Sequence, residues 1–291
     1  MVTLDNGKLR VKIAEKGAEL QELFSIAEGI NFMWSGDPAY WGKFSPILFP
    51  IVGTLRNNNF SHNGNTYSLS RHGFARDKVF TVEHTAATEC SLLLSSDEDT
   101  LKVYPFLFHF RIRYRLEADT LLVQYEVENN GAETMFFSVG AHPAFAVPFL
   151  PGTAYTGYEL FFGREVTAGR WPITEDGLIA ESPVPLLEHN ATLPLSHELF
   201  EKDALVFKQF PADSILIRAA KGGPGLEVTW KDFPFLGIWA AKNADFVCIE
   251  PWCGIADAWN AGGEIATKEG IEKLEPGNVF SRGWQVRIIP G

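Results

Sequence analysis

Cysteine is scarce. Cys90, Cys248 and Cys253 are the only three in 291 residues, too few and too odd in number for a disulfide framework. Cys248 and Cys253 have little else of metal-ligand type beside them, so they read as ordinary buried thiols and no metal is expected. Positive charge is also short, with 25 Lys+Arg against 36 Asp+Glu and a net charge of −11. A chain of that sign repels phosphate backbones and anionic surfaces. Its one basic series is brief, Arg111, Arg113 and Arg115, so no nucleic acid and no membrane is expected as a partner. No apolar run approaches the ~20 residues of a membrane helix, and the opening MVTLDNGKLRVKI does not follow the order of a signal peptide. The expectation is a cytoplasmic protein. Repeats and low-complexity tracts are missing, and the 26 Gly and 17 Pro are scattered rather than massed in a linker. That leaves a single domain over residues 1–291.

What is abundant is apolar and aromatic mass: 46% hydrophobic residues, among them 23 Phe. Such a chain buries a large core and is not disordered. Period-two alternation is clearest at Phe110, Ile112, Tyr114 and Leu116, with Arg111, Arg113 and Arg115 between them, which predicts a strand with one wet face. Val123, Tyr125 and Val127 repeat the pattern up to Asn129-Asn-Gly131, so the two segments read as an antiparallel hairpin. Further strands are expected at 8–14, 78–84, 91–95, 214–218, 226–230, 246–250 and 284–289. Helical signals are few: a turn capped by Ser196 through Glu201, and a short helix over 267–274. Many short strands and few short helices imply an all-β sandwich.

Four segments set polar groups among apolar or Gly/Pro-rich neighbours. Pro46–Arg56 is followed by Arg71-His72-Gly73-Phe74-Ala75-Arg76. These residues are either surface arginines beside a core histidine or a ligand site, with Gly73 permitting close approach. His142 lies in Phe136–Phe145, a run with no other ionisable side chain. It is either a satisfied core histidine or an acid-base group tuned by burial. Glu250 ends the apolar pattern that starts at Phe246, and a carboxylate there is costly to bury unless it is paired or functional. Asp203 precedes the apolar run Ala204–Phe207 and reads first as a turn residue. Aromatics flank these segments (Phe44, Phe74, Phe145, Trp239, Trp252, Trp259). An aromatic cleft with a few convergent polar groups suits a sugar. The same aromatics serve equally as core.

The strings LFPIVGTLRNNNF (48–60), RHGFAR (71–76), SVGAHPAF (138–145) and CIEPWCGIAD (248–257) together resemble the aldose 1-epimerase (mutarotase) family. The likeness is nearest to its bacterial mutarotase-like branch and extends from GAELQEL at 17 to KLEPGNVFSRGWQVRI at 273. It implies a large antiparallel β-sandwich of the galactose mutarotase type, a supersandwich, binding an aldose sugar as a monomer or homodimer with no cofactor. It also implies His142 as general acid, Glu250 as general base and His72 as a substrate-positioning histidine. Asp203 matches a hydroxyl-binding aspartate, and Arg56 and Arg71 fall where relatives bind the sugar or its phosphate.

The expected activity is anomer exchange. Glu250 takes the C1 hydroxyl proton while His142 donates to O5, the ring opens, and C1–C2 rotates before reclosure. Arg56, Arg71 and Arg76 are candidates for a phosphate clamp, which keeps a hexose-6-phosphate mutarotase open as an alternative. A non-catalytic sugar-binding or sensing protein on the same fold is a second alternative. A glycoside hydrolase or lyase using Asp203 and Glu250 fits less well than proton shuttling by paired histidines.

Overall fold

The computed structural model describes residues 1–291. Two antiparallel sheets dominate it, as the alternation implies. The larger has nine strands in the order Val184–Pro194, Tyr158–Arg170, Ser214–Ala219, Gly225–Trp230, Val279–Ile289, Thr120–Asn129, Phe108–Glu117, Glu89–Ser95 and Thr81–Thr85. Along Phe108–Glu117 the even-numbered side chains are buried and the odd ones face outward, so the arginines stay wet while Phe110, Ile112 and Tyr114 enter the core. The smaller sheet runs Val139–Gly140, Phe246–Cys253, Phe235–Trp239 and Leu205–Lys208, with Ala144–Ala146 also paired to Phe246–Cys253. Buried residues of both sheets, among them Tyr114, Val286, Ile238 and Ile249, belong to one continuous core of 74 side chains. A four-stranded N-terminal sheet over residues 2–31 adds to the same core.

Phe246–Cys253 supplies the site's central strand, and it corrects one expectation. Glu250 does not end this strand but stands inside it, because pairing continues to Cys253 opposite Val139. Pro251 is tolerated there because the neighbouring chain leaves the ladder between Gly140 and Ala144, so its absent N–H interrupts no ladder bond on that side. Its carbonyl still accepts from the Ala141 N–H at 3.1 Å.

The expected helix at 267–274 is also overturned. Ile265–Thr267 makes one 3-10 turn, Lys268 turns extended, and Glu272–Leu274 pairs as a strand with Met135–Phe137. The Lys268 side chain is drawn inward instead, to within 2.7 Å of Asp257. The turn after Ser196 is present as 3-10 helix His197–Phe200, without a side-chain cap from Ser196. At 78–84 the strand begins only at Thr81, since Lys78 closes the preceding 3-10 turn Ala75–Asp77. No helix is long and apolar enough to cross a membrane.

Candidate active site

Sheet register builds the centre of the site. Gly140 faces Trp252 and Ala144 faces Cys248. Counting through the unpaired interval places His142 opposite Glu250, in the position of a cross-strand neighbour. His142 Nε2 lies 3.5 Å from Glu250 Oε2, with the side chains 10% and 2% exposed. Trp41 stacks on the His142 ring at 5.0 Å and Trp239 meets it edge-on at 5.5 Å. The imidazole is therefore held in one plane by packing.

Burial works on the two groups in opposite senses. It pushes Glu250 well above the usual carboxylate range, with nearby Asp203 adding to the rise and Arg71 opposing it. It pushes His142 down to about 3, assisted by Arg71 and Arg76. Burial thus favours the uncharged form of both, a protonated Glu250 beside a neutral His142, when the cleft is empty.

His72 joins them from the turn after Arg71. Its ring centroid is 5.8 Å from that of His142, and its backbone adopts φ +70°, an uncommon state for a residue with a side chain. Gly73 beside it serves the backbone rather than a ligand, because a Cβ there would lie 2.4 Å from the Phe49 carbonyl oxygen. Arg71 reaches across to Asp203, Nη1 to Oδ2 at 3.3 Å and Nη2 to Oδ1 at 3.4 Å. Asp203 is indeed a turn residue, at φ +75°, and it also faces the cavity.

These groups share a cleft of about 330 Å³, bounded further by Trp41, Trp239, Trp252, Ile173 and Ile179. Five of the six expected site residues therefore converge: His72, Arg71, Asp203, His142 and Glu250. Arg56 does not line the cleft. Its guanidinium donates to the Ala261 carbonyl at 3.0 Å, and Asn57 and Asn58, both at positive φ, turn the chain away. Arg76 takes a place that Arg56 does not. Its Nη2 donates to the Arg71 carbonyl at 2.8 Å and its Nε finds no hydrogen-bond partner.

Among the flanking aromatics, Phe145 is core and Trp259 is exposed. Trp41 was not legible, since the polar stretch around it gives no apolar period. A wider trough of about 660 Å³ crosses the outer face of the nine-stranded sheet near Arg113, Gln124 and Gln285. Its charged groups, such as Arg113 and Arg115, stay exposed, whereas the cleft buries an acid and a base side by side. His142, Cys248 and Glu250 place ligand-type atoms within 4.8 Å of one another. Burial pushes the Cys248 thiol well above its usual range, which disfavours the thiolate that metal binding requires.

The aldose 1-epimerase family model matches residues 1–270. The chain belongs to the aldose 1-epimerase family. Membership makes it an isomerase of the mutarotase type. The crystal structure of a galactose mutarotase related enzyme from Lactobacillus acidophilus superposes with a TM-score of 0.92 at 36% identity, covering 98% of this chain and 96% of that one. A galactose mutarotase-like protein from Lactobacillus casei gives 0.91 at 28% identity, with 99% of both chains covered. The chromosomal LacX protein of Lactococcus lactis subsp. lactis is 31% identical over 298 residues, 99% of each chain. The aldose 1-epimerase fold therefore accounts for both large sheets and for the strand that carries Glu250.

Proposed function

We propose that this protein interconverts the α and β anomers of a hexose, with Glu250 and His142 exchanging the two protons the reaction moves. The buried His142–Glu250 pair, 3.5 Å apart within an aromatic cleft, carries this reading. Ionised Glu250 accepts the C1 hydroxyl proton while protonated His142 gives one to O5. The C1–O5 bond breaks and the C1 carbonyl forms. Rotation about C1–C2 presents the other carbonyl face, and the two transfers reverse on closure.

The protonation states follow from the shared proton. Burial favours the protonated Glu250 carboxyl in the empty cleft, and passing that proton to His142 creates the reactive ion pair without exchange with solvent. Arg71 favours the ionised carboxylate, and sugar hydroxyls entering the cleft add hydrogen bonds to it. Trp41, Trp239 and Trp252 offer ring faces to the sugar C–H surface.

An unphosphorylated sugar fits the charges better, since Asp203 already answers Arg71. Arg76, whose Nε makes no hydrogen bond though Asp77 Oδ2 lies 3.7 Å away, favours a second reading in which a hexose 6-phosphate binds. Polarimetry on freshly dissolved α-D-glucose, α-D-galactose and glucose 6-phosphate separates these readings. Faster mutarotation, lost in Glu250→Gln, is the expected result. Binding without acceleration of any of the three would overturn the catalytic reading and leave a sugar sensor.

A further inference from the structure

Outside the cleft, one buried ion pair has no part in the mechanism above. Lys268 and Asp257 side chains are 4% and 5% exposed, with Nζ 2.7 Å from Oδ1. Lys268 also donates to the Ile255 carbonyl at 2.6 Å. The other Asp257 oxygen accepts the Arg56 backbone N–H at 2.9 Å. The Asp257 backbone donates to the Thr54 carbonyl at 2.9 Å and accepts from the Ile179 N–H at 2.8 Å. Three cleft-wall segments, around Gly53, Ile179 and Ala256, therefore meet at Asp257, Ile179 through its backbone alone and residues 54–56 through both its backbone and its carboxylate.

Gly53 connects this hub to His72. Its N–H donates to His72 Nδ1 at 3.1 Å, and its carbonyl accepts the His72 N–H at 2.9 Å. Gly53 reaches that position at φ +72° with the Ala256 Cβ only 2.5 Å from where its own Cβ would stand, so no larger residue fits. A neutral ring whose Nδ1 accepts the amide proton carries its own proton on Nε2. Arg71 Nε–H is aimed at that same Nε2 at 3.3 Å, so each ring nitrogen faces an obligate donor, and with the proton on Nε2 only the closer one, the Gly53 amide, meets a lone pair. The contact is thus N–H against N–H, two donors converging where an acceptor oxygen would satisfy both.

We propose that Asp257 and Lys268 are positioning residues: through residues 53–56 they hold the Gly53 amide on His72 Nδ1, so that His72 meets the sugar as a fixed, neutral Nε2–H donor. His72 then anchors a substrate oxygen and shuttles no proton, which leaves proton transfer to His142 and Glu250. Burial and the neighbouring charges of His142, Arg71 and Arg76 act in the same direction, holding His72 well below the usual imidazole range.

The inference rests on the proposed sugar chemistry, but its first test does not. ¹⁵N NMR of the substrate-free protein, with His72→Gln to assign the signals, reads the tautomer directly. The expected spectrum is a neutral Nε2–H ring for His72 at neutral pH; an Nδ1–H or cationic ring overturns the proposal even if the enzyme is active. The second test is the double variant Asp257→Asn/Lys268→Met, which removes both charges together, with thermal unfolding as the folding control. Loss of the single His72 tautomer and a rise in KM of about tenfold, with kcat changed less than about threefold, is the expected outcome. An unchanged tautomer and KM in the folded double variant would overturn the positioning role. If the double variant does not fold, the milder Lys268→Arg decides by the same two readouts.

Discussion

On the outer face of the nine-stranded sheet Arg111 bridges Glu83 and Glu126, Arg113 reaches Glu126 at 2.9 Å and Arg287 reaches Glu227 at 2.7 Å. The cleft and its wall use the same kinds of group at Arg71–Asp203, His142–Glu250 and Lys268–Asp257. On the outer face water solvates whatever a lost partner leaves behind, so each pair contributes little and any one is replaceable. Arg71–Asp203 stays partly exposed, but at His142–Glu250 and Lys268–Asp257 little water is at hand, so each group's charge, and even the placing of a ring proton, is set by its protein neighbours. Proximity of an acidic and a basic group is thus the same observation in both places with different consequences.

That contrast breaks most easily at the pair proposed to be catalytic. Glu250→Gln and His142→Asn are each expected to lower turnover by about 10² to 10⁴ in a polarimetric assay; near-normal rates would place both regions on the same footing. Next in size is Lys268→Met, which strands a buried Asp257 and should cost about 3–5 kcal/mol in urea unfolding.

Acidity sharpens the comparison further. Glu250 is raised in the fold, so the native state holds a proton that the unfolded chain loses above its ordinary carboxylate value. Its stabilising contribution is complete below that value and declines as pH rises toward the raised one. His142 and His72 are lowered, so their contribution is complete above 6.5 and declines as pH falls below it. Above pH 6.5 only the Glu250 effect of these three remains, and it fades as pH rises through the raised value. As pH rises above the ordinary carboxylate range, thermal stability should fall less steeply in Glu250→Gln than in the parent. Activity should hold as pH drops through 6.5, since His142 keeps no ordinary imidazole titration there. The smallest effect is expected on the outer face: Arg113→Ala should change unfolding free energy by less than about 1 kcal/mol.

The two regions also differed in how far they could be read from the sequence. Phe108–Glu117 and Thr120–Asn129 were legible because one face of each is wet and every second residue declares it. Tyr158–Arg170 and Val184–Pro194 were not, since register shifts between Phe161, Val166 and Ala168 break the period. Helix Glu98–Val103 is only six residues long, too short for a helical period to emerge. In the cleft, His72, Arg71, Asp203, His142 and Glu250 were found as residue types in unusual company. Their mutual arrangement was not, because it depends on pairing between strands more than 100 positions apart. Arg56 shares a motif with the site but is turned from it by two left-handed asparagines. Asp257 stood in a quoted motif and Lys268 in none; a buried lysine carries no local signature.

The interruption between Gly140 and Ala144 has a thermal consequence. His142 and Glu250 face each other across a gap flanked on both sides by intact pairings of the same two chain segments, Gly140 with Trp252 and Ala144 with Cys248. Fraying of outlying loops or edge strands therefore leaves their separation unchanged. Catalytic loss on heating should coincide with cooperative melting of the central sheet, not precede it.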